Sequence, residues 1–320
     1  MPHILIAGRL HPAGIALLDR TPGVTYDYVE DVSEASYAPL IARADALVLR
    51  TQPLSARTVE KADRLRIVSR HGVGYDAVDI HALDARGICL CIAGDVNSVS
   101  VAEHAMTLIL ACTKHLLAAD HAVRDGQWAW RNRLMAGEVG GRRLLILGYG
   151  RAGRHLATMA AGFGMEIRAY DPFLSRRGAW PAGAVREVSG LEAGLEWADI
   201  ISVNVPPADR PLLGEAELRH LRPGTIIVNT ARGGVVDEPA LARALADGRV
   251  AMAGLDVFDP EPPATDSPLL VSDRVILTPH IAGLTMQAAE RMAVYSIRNV
   301  LDFFAGTLDP ALIVNREFVK

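Results

Sequence analysis

The feature that most constrains the fold is a glycine cluster between two short apolar segments in the middle of the chain. The first segment, Leu144–Leu147, has the continuous apolar character of a strand that is buried on both faces. Gly148, Gly150 and Gly153 follow it in G-x-G-x-x-G spacing and open a helical pattern. A second predicted strand comes after this helix and ends on Asp171. This order of strand, glycines, helix, strand and acid predicts a dinucleotide-binding βαβ unit.

Each part of this pattern has a physical role in holding a dinucleotide. Gly148 permits the tight turn out of the strand, Gly150 lets the backbone approach a pyrophosphate, and Gly153 lets the helix pack closely on the strand. The helix N-terminus offers N–H groups and a partial positive charge to the phosphates. Asp171 can accept hydrogen bonds from the ribose hydroxyls and would repel a 2′-phosphate, which favours NAD over NADP, although two arginines that follow weaken this preference. The predicted cofactor-binding residues of this segment are Gly148, Tyr149, Gly150, Arg151, Ala152, Gly153 and Asp171.

The size and composition of the chain narrow the class of protein. With 320 residues, 50% of them hydrophobic and 22% charged, the chain can form two domains with substantial cores. The net charge of −4 and the lack of a basic block argue against nucleic acid or an anionic membrane as partner. Cys89 and Cys91 alternate on a predicted strand and, like Cys112, are interpreted as buried thiols rather than metal ligands. No metal site is predicted, and a cytoplasmic location is expected.

Short apolar runs alternate with helical patterns on both sides of the central unit, and this alternation predicts α/β domains with parallel sheets. Further strands are predicted at Ile4–Ala7, Ala46–Leu49, Arg66–Ser69, Ile88–Cys91, Ile200–Val205, Thr225–Asn229, Val250–Leu255 and Val275–Thr278. The last predicted helix, Thr285 to about Phe304, returns to the first domain. We therefore expect two doubly wound domains: a flavodoxin-like substrate domain, residues 1–97 plus 286–320, into which a Rossmann dinucleotide-binding domain, residues 98–285, is inserted.

One long helix is predicted at the start of the second domain, from Val99 to about Arg124. A helix of this length between two α/β units would be a bridge between them. It would also be a plausible contact between subunits of an oligomer.

Three side chains that come directly after predicted strands of the second domain can carry chemistry. They are Arg232, Glu261 in a proline-rich loop, and His280. Taken singly, each could equally be a surface arginine, a loop acid or a structural histidine. Ligands of parallel sheets bind beyond the carboxyl ends of the strands, so we expect all three at one site. There the guanidinium would hold a substrate carboxylate, the imidazole would exchange a proton with the substrate hydroxyl, and the carboxylate would orient the imidazole, which are the parts of a hydride-transfer site.

Seven segments of the chain match the pattern of a known family: HGVGYD at 71–76, NSVSVAEH at 97–104, GYGRAG at 148–153, NTARGG at 229–234, GLDV at 254–257, Glu261, and PHIAG at 279–283. With these segments, nearly the whole chain resembles the D-isomer-specific 2-hydroxyacid dehydrogenases. The resemblance implies an NAD-dependent oxidoreductase that acts on the CH–OH group of a small 2-hydroxy acid, and a homodimer. It implies Arg232 as substrate anchor, Glu261 and His280 as acid–base pair, Thr230 and Asp256 as cofactor contacts, and Val73, Gly74 and Asn97 as substrate-binding residues.

The substrate is less constrained by the sequence than the family is. Arg50 and Arg70 follow predicted strands of the first domain, and a cationic cluster there would suit a substrate with a second anionic group. Phosphoglycerate dehydrogenases of this family carry basic residues at similar places, so 3-phospho-D-glycerate or a similar anionic 2-hydroxy acid is the first expectation, without a regulatory domain. If the two arginines form ordinary ion pairs instead, hydroxypyruvate or glyoxylate reduction is the alternative. A dinucleotide-sensing binding protein, like the corepressors that share this fold, is a third and remote possibility.

Overall fold

The structure is a computed structural model that describes residues 2–181, 183 and 185–318. Its residues form two compact units. The first unit comprises the residues up to Asn97 and those from Leu284 onwards, and the second comprises Ser98–Gly283. The second unit is thus inserted in the sequence of the first. The chain passes from the first unit to the second between Asn97 and Ser98, and it returns between Gly283 and Leu284, two residues before the expected boundary between residues 285 and 286.

The first unit is built on a parallel sheet of five strands: β1 (His3–Ala7), β2 (Thr25–Val29), β3 (Ala46–Leu49), β4 (Ile67–Arg70) and β5 (Cys89–Cys91). The strand order β2-β1-β3-β4-β5 is that of flavodoxin-like proteins, as predicted. The helices of this unit are α1 (Pro12–Asp19), α2 (Glu34–Tyr37), α3 (Ala56–Glu60), α4 (Ile80–Ala85) and, after the inserted unit, the long helix α12 (Met286–Ala305).

Apolar clusters cover both faces of this sheet, which is why β1, β3, β4 and β5 consist mainly of buried apolar residues. Helix α12 supplies Ala293, Ile297 and Val300 to one of these clusters. It begins after Thr285, whose side chain accepts a hydrogen bond from the backbone of Ala288, and ends at Gly306 with a φ of 73°. The last helix of the chain therefore belongs to the sheet formed by the first residues. Three short 3₁₀ segments, Ala38–Arg43, Pro310–Leu312 and Arg316–Phe318, complete the unit.

The second unit is built on a parallel sheet of seven strands: β6 (Arg143–Leu147), β7 (Glu166–Tyr170), β8 (Arg186–Glu187), β9 (Ile200–Val203), β10 (Thr225–Asn229), β11 (Val250–Leu255) and β12 (Val275–Leu277). Its order β12-β11-β10-β9-β6-β7-β8 is the doubly wound order of dinucleotide-binding proteins, extended by one strand. The helices are α5 (Ser98–Lys114), α6 (Leu116–Arg124), α7 (Arg151–Gly162), α8 (Pro172–Arg176), α9 (Leu191–Trp197), α10 (Glu215–Leu218) and α11 (Glu238–Ala246), with 3₁₀ segments Trp128–Arg133 and Pro268–Val271.

The prediction of one continuous helix from Val99 to Arg124 is wrong. Helix α5 ends at Lys114, and α6 begins at Leu116 after a single break. At the break, His115 has left-handed backbone angles, with a φ of 49°. A residue in this conformation cannot continue a right-handed helix, so α5 ends there and α6 starts as a separate helix. The break is not marked by a glycine or proline, the residues that usually signal one.

Helix α5 packs closely on the sheet of the second unit. A Cβ atom at Gly254 in β11 would lie 2.9 Å from the Cβ atom of Leu108, so only glycine allows this approach. Most of the inward face of α5 is buried with residues of β6, β10 and α7. This contact places the N-terminal turns of α5 near the carboxyl end of β11, which matters for the site described below. No helix among residues 2–181, 183 and 185–318 combines the length and apolar character needed to span a membrane.

Candidate active site

The glycine-rich turn between β6 and α7 has the geometry that its spacing predicts. Gly148 has a φ of 91°, and a Cβ atom there would lie 2.6 Å from the carbonyl oxygen of Asn204. A Cβ atom at Gly153 would lie 2.3 Å from the carbonyl oxygen of Gly148, so the first turn of α7 rests against the loop. A Cβ atom at Gly150, by contrast, would meet no atom within 4 Å. The backbone is therefore open on the side where a phosphate would approach.

Asp171 holds this turn as well as the next helix. One of its oxygens accepts a hydrogen bond from the backbone N–H of Tyr149 at 2.9 Å. The other accepts from the backbone of Phe173 and Leu174, at 3.1 and 3.0 Å, and so caps α8. A carboxylate offers about four acceptor positions, so Asp171 keeps capacity for a ribose hydroxyl. Its local structural role was not foreseen from the spacing.

Two buried polar atoms at the carboxyl ends of the inner strands β9 and β10 are suited to bind a dinucleotide. The hydroxyl oxygen of Thr230, after β10, and the amide oxygen Oδ1 of Asn204, after β9, are buried without a hydrogen-bond partner among the described residues. Buried polar atoms normally have a hydrogen-bond partner, and a buried atom without one raises the free energy of the folded protein. With the open backbone at Gly150 and the uncapped N-terminus of α7, they form a cradle that suits the polar groups of a bound dinucleotide.

The turn that contains Arg232 packs closely against the loop that leads to Glu261. The side chain of Asn229, at the end of β10, accepts from the backbone of Ala231 at 3.0 Å and donates to the carbonyl of Arg232 at 2.9 Å. A Cβ atom at Gly233 would lie 1.8 Å from the carbonyl oxygen of Phe258, so these two backbones touch. The Arg232 side chain is partly buried, and its Nη1 donates to the carbonyl of Ala231 at 2.8 Å.

His280 and Glu261 form a hydrogen-bonded pair. Nδ1 of His280 lies 2.7 Å from Oε2 of Glu261, and Oε1 of Glu261 accepts from the backbone of Phe258 at 3.1 Å. The side chains of the pair remain 49% and 38% exposed, so the other ring nitrogen of His280 can meet a ligand. A cavity of about 520 Å³, whose wall is mostly apolar, opens beside the pair. The geometry is that of a general acid–base with an orienting carboxylate.

Asp256 organises the turn on which His280 lies. The backbone of His280 donates to the carbonyl of Asp256 at 2.9 Å, and His280 has a φ of 52°, unusual for a residue with a side chain. The Asp256 carboxylate accepts from the backbone of Ile281 and Ala282, at 2.9 and 2.8 Å, and from the hydroxyl of Thr278 at 2.5 Å. This carboxylate is 0% exposed, so it is surrounded by protein.

In the first unit, Arg70 lies at the end of β4 and is buried. Its Nε donates to the carbonyl of Gly74 at 2.8 Å, and its Nη1 donates to the carbonyls of Leu49, at 3.0 Å, and of Arg50. These bonds fasten the loop that contains Val73 to the end of β3. Asn97 is the last residue of this unit before α5.

Arg50 follows β3 and is partly buried. Close to it is His71, a buried residue whose Nε2 has no hydrogen-bond partner among the described residues. Burial, with the positive charges of Arg50 and Arg70, lowers the pKa of His71 from 6.5 to about 4. His71 is therefore neutral at pH 7. His71 lies close to Arg50 and Arg70, which were predicted to bind the substrate, but His71 itself was not predicted as a site residue.

Several residues that shape the site were missed because their contacts cross long stretches of sequence. Glu238, at the start of α11, accepts from the backbone of Asp259 at 2.8 Å and so holds the loop of Glu261. Burial and three nearby carboxylates raise the pKa of Glu238. His104 on α5 was part of a matching segment, yet nothing in its spacing assigned it a contact.

Within the described part of the chain, no group of three or more His, Cys, Asp or Glu side chains could hold a metal ion.

Comparison with known proteins places this site in a family. Residues 106–282 match the family described as D-isomer specific 2-hydroxyacid dehydrogenase, NAD binding domain. The chain is 37% identical over 328 residues to a glyoxylate reductase of Korarchaeum cryptofilum, a match that covers 100% of this chain and 97% of the relative. It is 38% identical over 313 residues to the D-3-phosphoglycerate dehydrogenase of Mycobacterium tuberculosis, covering 97% of this chain but 58% of that protein.

Among solved structures, the TT0316 protein from Thermus thermophilus superposes with a TM-score of 0.86 at 30% identity, covering 98% of this chain and 99% of the other. The chain thus belongs to the D-isomer-specific 2-hydroxyacid dehydrogenase family. It is an NAD-dependent oxidoreductase that acts on the CH–OH group of 2-hydroxy acids. The predictions of family, fold class, enzyme class and cofactor are confirmed.

Proposed function

We propose that this protein interconverts a small 2-hydroxy acid and its 2-keto acid, and that the substrate is 3-phospho-D-glycerate or a similar anionic 2-hydroxy acid. The observation that supports this most directly is the His280–Glu261 pair. Its residues follow the neighbouring strands β11 and β12 in the unit that matches the family's NAD-binding domain. Such a pair is what proton exchange with a substrate hydroxyl requires.

The chemistry that NAD supplies when bound is hydride transfer at C2 of the substrate. Residues Gly148 to Gly153 and Asp171 would bind its pyrophosphate and ribose, and Thr230 would bind a polar group further along the sheet edge. The turn after β6 and the turn after β12 are four strand spacings apart, about 19 Å at roughly 4.8 Å per spacing. An extended ligand can therefore follow this edge from the glycine turn to His280.

In the direction of oxidation, Nε2 of His280 takes the proton of the substrate hydroxyl. Glu261 holds Nδ1 and stabilises the charged imidazolium that results. Arg232 of the second unit would bind a substrate carboxylate with two parallel hydrogen bonds. In the first unit, the backbone N–H groups at Val73 and Gly74, with Asn97, are proposed substrate contacts. In the reverse direction the imidazolium returns the proton.

We assign Asp256 a positioning role in this scheme. The family resemblance implied that Asp256 contacts the cofactor, but its carboxylate is surrounded by protein and already accepts three hydrogen bonds. A ligand could reach it only if the turn that carries His280 opened. Its effect on the reaction is therefore transmitted through that turn.

Arg50 supports the choice of an anionic substrate. Arg9 comes two residues after β1, the strand next to β3, and the backbone N–H of Arg50 donates to the carbonyl of Ala7 at the end of β1, at 3.0 Å. Two guanidinium groups at adjacent strand ends suit a phosphate. We expect Arg70, which is bound to backbone carbonyls, to hold the Val73–Gly74 loop rather than the phosphate.

Hydroxypyruvate or glyoxylate reduction is the second candidate. One observation favours it: the guanidinium of Arg70 is occupied, so the predicted cationic cluster is smaller than the sequence suggested. The glyoxylate reductase of Korarchaeum cryptofilum also matches over almost its entire length. These substrates need no second anion site, so Arg50 would not contribute to their binding.

A substrate panel distinguishes the two candidates. Steady-state kinetics with NAD or NADH are measured for 3-phosphoglycerate, D-glycerate, hydroxypyruvate and glyoxylate, for the wild type, Arg50→Ala and the exposed control Arg57→Ala on α3. We expect 3-phosphoglycerate to be the best substrate and Arg50→Ala to raise its KM about tenfold or more, without affecting hydroxypyruvate. Equal effects on both would refute an anion site at Arg50. A wild type that turns over no member of the panel would leave the dinucleotide-sensing role as the better proposal.

We also propose that the protein works as a homodimer joined through α6. This helix buries only Ala122, while Leu116, Leu117 and Val123 are exposed by 55%, 47% and 59%. Three large apolar side chains exposed together on one short helix are typical of a protein interface. The cytoplasmic location expected from the sequence stays a prediction.

A further inference from the structure

A polar chain connects helix α5 to the turn that carries His280. Nε2 of His104 lies 2.9 Å from the hydroxyl oxygen of Thr278, which in turn lies 2.5 Å from Oδ1 of Asp256. Asp256 binds the backbone of the two residues that follow His280. All of these residues belong to the second unit. A side chain on a helix is thereby linked, through two partners, to the backbone around the proposed acid–base.

The direction of the hydrogen bonds in this chain follows from the number of protons. A carboxylate can only accept, so the Thr278 hydroxyl gives its single proton to Asp256. The hydroxyl oxygen must then accept from His104, which places a proton on Nε2. The same ring nitrogen lies 3.6 Å from Oδ1 of Asp256. His104 is thus the donor that completes the surroundings of a fully buried carboxylate.

The packing of α5 explains why His104 can reach Asp256. Leu108, one helical turn further along α5, packs directly against the backbone of Gly254, because this glycine has no side chain in the way. His104 and Leu108 share a helix face, because side chains repeat every four residues or so along a helix. Asp256 directly follows β11 and comes two residues after Gly254, which is the side-chain repeat of a strand. The close approach at Gly254 therefore brings His104 over Asp256. His104 is 19% exposed, so its ring is mostly enclosed there.

The turn that His104 supports has an unfavourable backbone conformation. His280 has a φ of 52°, which a residue with a side chain adopts only when its surroundings hold it there. The three hydrogen bonds to the Asp256 carboxylate and one to its carbonyl supply this support. If Asp256 were less well fixed, the imidazole of His280 would lose its alignment with Glu261.

We propose that His104 is a positioning residue for the reaction: its hydrogen bond to Thr278 fixes Asp256, and Asp256 fixes the turn that presents His280. This inference rests on the proposed role of His280 as acid–base. It assigns a function to a helix residue that does not itself touch the substrate. A purely structural role, that of tying α5 to β12, would affect folding and dinucleotide binding as much as turnover.

The test compares His104→Leu, His104→Gln, Thr278→Val and the double variant His104→Leu/Thr278→Val. The control is His81→Leu, an exposed histidine on α4 of the first unit. We expect His104→Leu to lower kcat about tenfold while KM, the Kd for NADH and Tm stay near the wild-type values. Glutamine, which keeps an N–H donor, should restore most of kcat. Because His104 acts through Thr278, the double variant should be no slower than the slower single variant.

A second measurement does not depend on activity. NMR signals of the His280 ring, assigned with His280→Gln, should shift in His104→Leu and Thr278→Val and stay in place in the control. A wild type without turnover would refute the proposed function, while the ring signals would still test the positioning role. Unchanged ring signals with unchanged kcat in His104→Leu would overturn the inference. So would an equal loss of kcat, NADH binding and Tm that glutamine does not restore, or effects of the two single variants that multiply.

Discussion

At the scale of single residues, the site depends on how each titratable group is surrounded. Two described histidines lie near a carboxylate at the carboxyl ends of the strands of the second sheet. His280 is hydrogen-bonded directly to Glu261 and half exposed, whereas His104 is mostly enclosed and reaches Asp256 through Thr278. His220 forms a similar pair with Glu196, 3.3 Å apart, but on the outer surface after α10. The two pairs have the same chemistry in different places, so they can be compared directly.

We expect His280→Ala to lower kcat at least about a hundredfold, the usual loss when a general acid–base is removed. The Kd for NADH should change little, since the glycine turn is untouched. Steady-state kinetics and calorimetric NADH titration measure the two quantities. His220→Ala is the matched control and should behave as the wild type. An active His280→Ala variant would remove His280 from the mechanism.

His71 makes the stability of the first unit depend on pH. Its pKa is about 4 in the folded protein and 6.5 as an ordinary value, so the unfolded chain binds a proton that the folded chain does not between these pH values. The stabilisation is complete above pH 6.5 and is lost as the pH falls towards 4, and it amounts to about 3 kcal/mol. We expect the Tm of His71→Gln to fall less steeply than that of the wild type over this range.

The comparison for His71 is His81→Gln, which replaces an exposed histidine of the same unit on α4. This variant should keep the wild-type dependence of Tm on pH, as followed by calorimetry. If His71→Gln kept it as well, the acid sensitivity of the first unit would have another origin.

At the scale of elements, the parts that could be predicted are those whose signals are local. Strands buried on both faces, such as Leu144–Leu147, appear as continuous apolar runs, and the glycine spacing marks the turn after them. Strand β2 was missed because TYDYV at Thr25–Val29 is an edge strand, only partly buried, with an acid in its centre. Strand β8 has two exposed polar residues and no apolar signal at all.

The polar contacts of the site could not be predicted from the sequence, for a different reason. His104 and Thr278 are separated by 174 positions, and their contact exists only because α5 packs on Gly254. Likewise, the spacing of Arg70 showed that it follows a strand but not that its guanidinium turns back to the carbonyls of the neighbouring strand. Position along a strand is a local property, whereas the partner of a side chain is a property of the packed fold.

The glycine turn can be tested as an element with two matched substitutions in one helix. A Cβ atom would meet nothing within 4 Å at Gly150, the residue before α7, or at Gly162, the last residue of α7. We expect Gly150→Ala to leave Tm near its wild-type value but to raise the Kd for NADH about tenfold or more, because the methyl group stands where the pyrophosphate approaches. Gly162→Ala should bind NADH normally and gain about 0.5–1 kcal/mol of stability. Unchanged binding in Gly150→Ala would place the phosphates elsewhere.

At the scale of the whole molecule, the proposed dimer makes a prediction about α6. Leu117→Glu places a charge on its exposed apolar face, which would cost little in an isolated chain but would disrupt an interface. Light scattering should give twice the chain mass of 34.4 kDa for the wild type and the single-chain mass for Leu117→Glu. Phe163→Glu, at an equally exposed apolar residue after α7, is the control and should keep the wild-type mass. A variant Leu117→Glu that stays dimeric would exclude this helix as the contact.

The discontinuous first unit also has a consequence for how the chain is made. The strands of its sheet are complete once Cys91 has been synthesised, but the helix that supplies Ala293, Ile297 and Val300 to one face of that sheet comes after the whole inserted unit. At about 5–20 residues per second, the ribosome needs roughly 10–40 s to reach it. During that interval the apolar face that includes Ile4, Val48 and Ile67 lacks the part of its cover that α12 supplies, while the inserted unit is free to fold first. The enzyme is thus expected to depend on chaperones at one particular stage of translation.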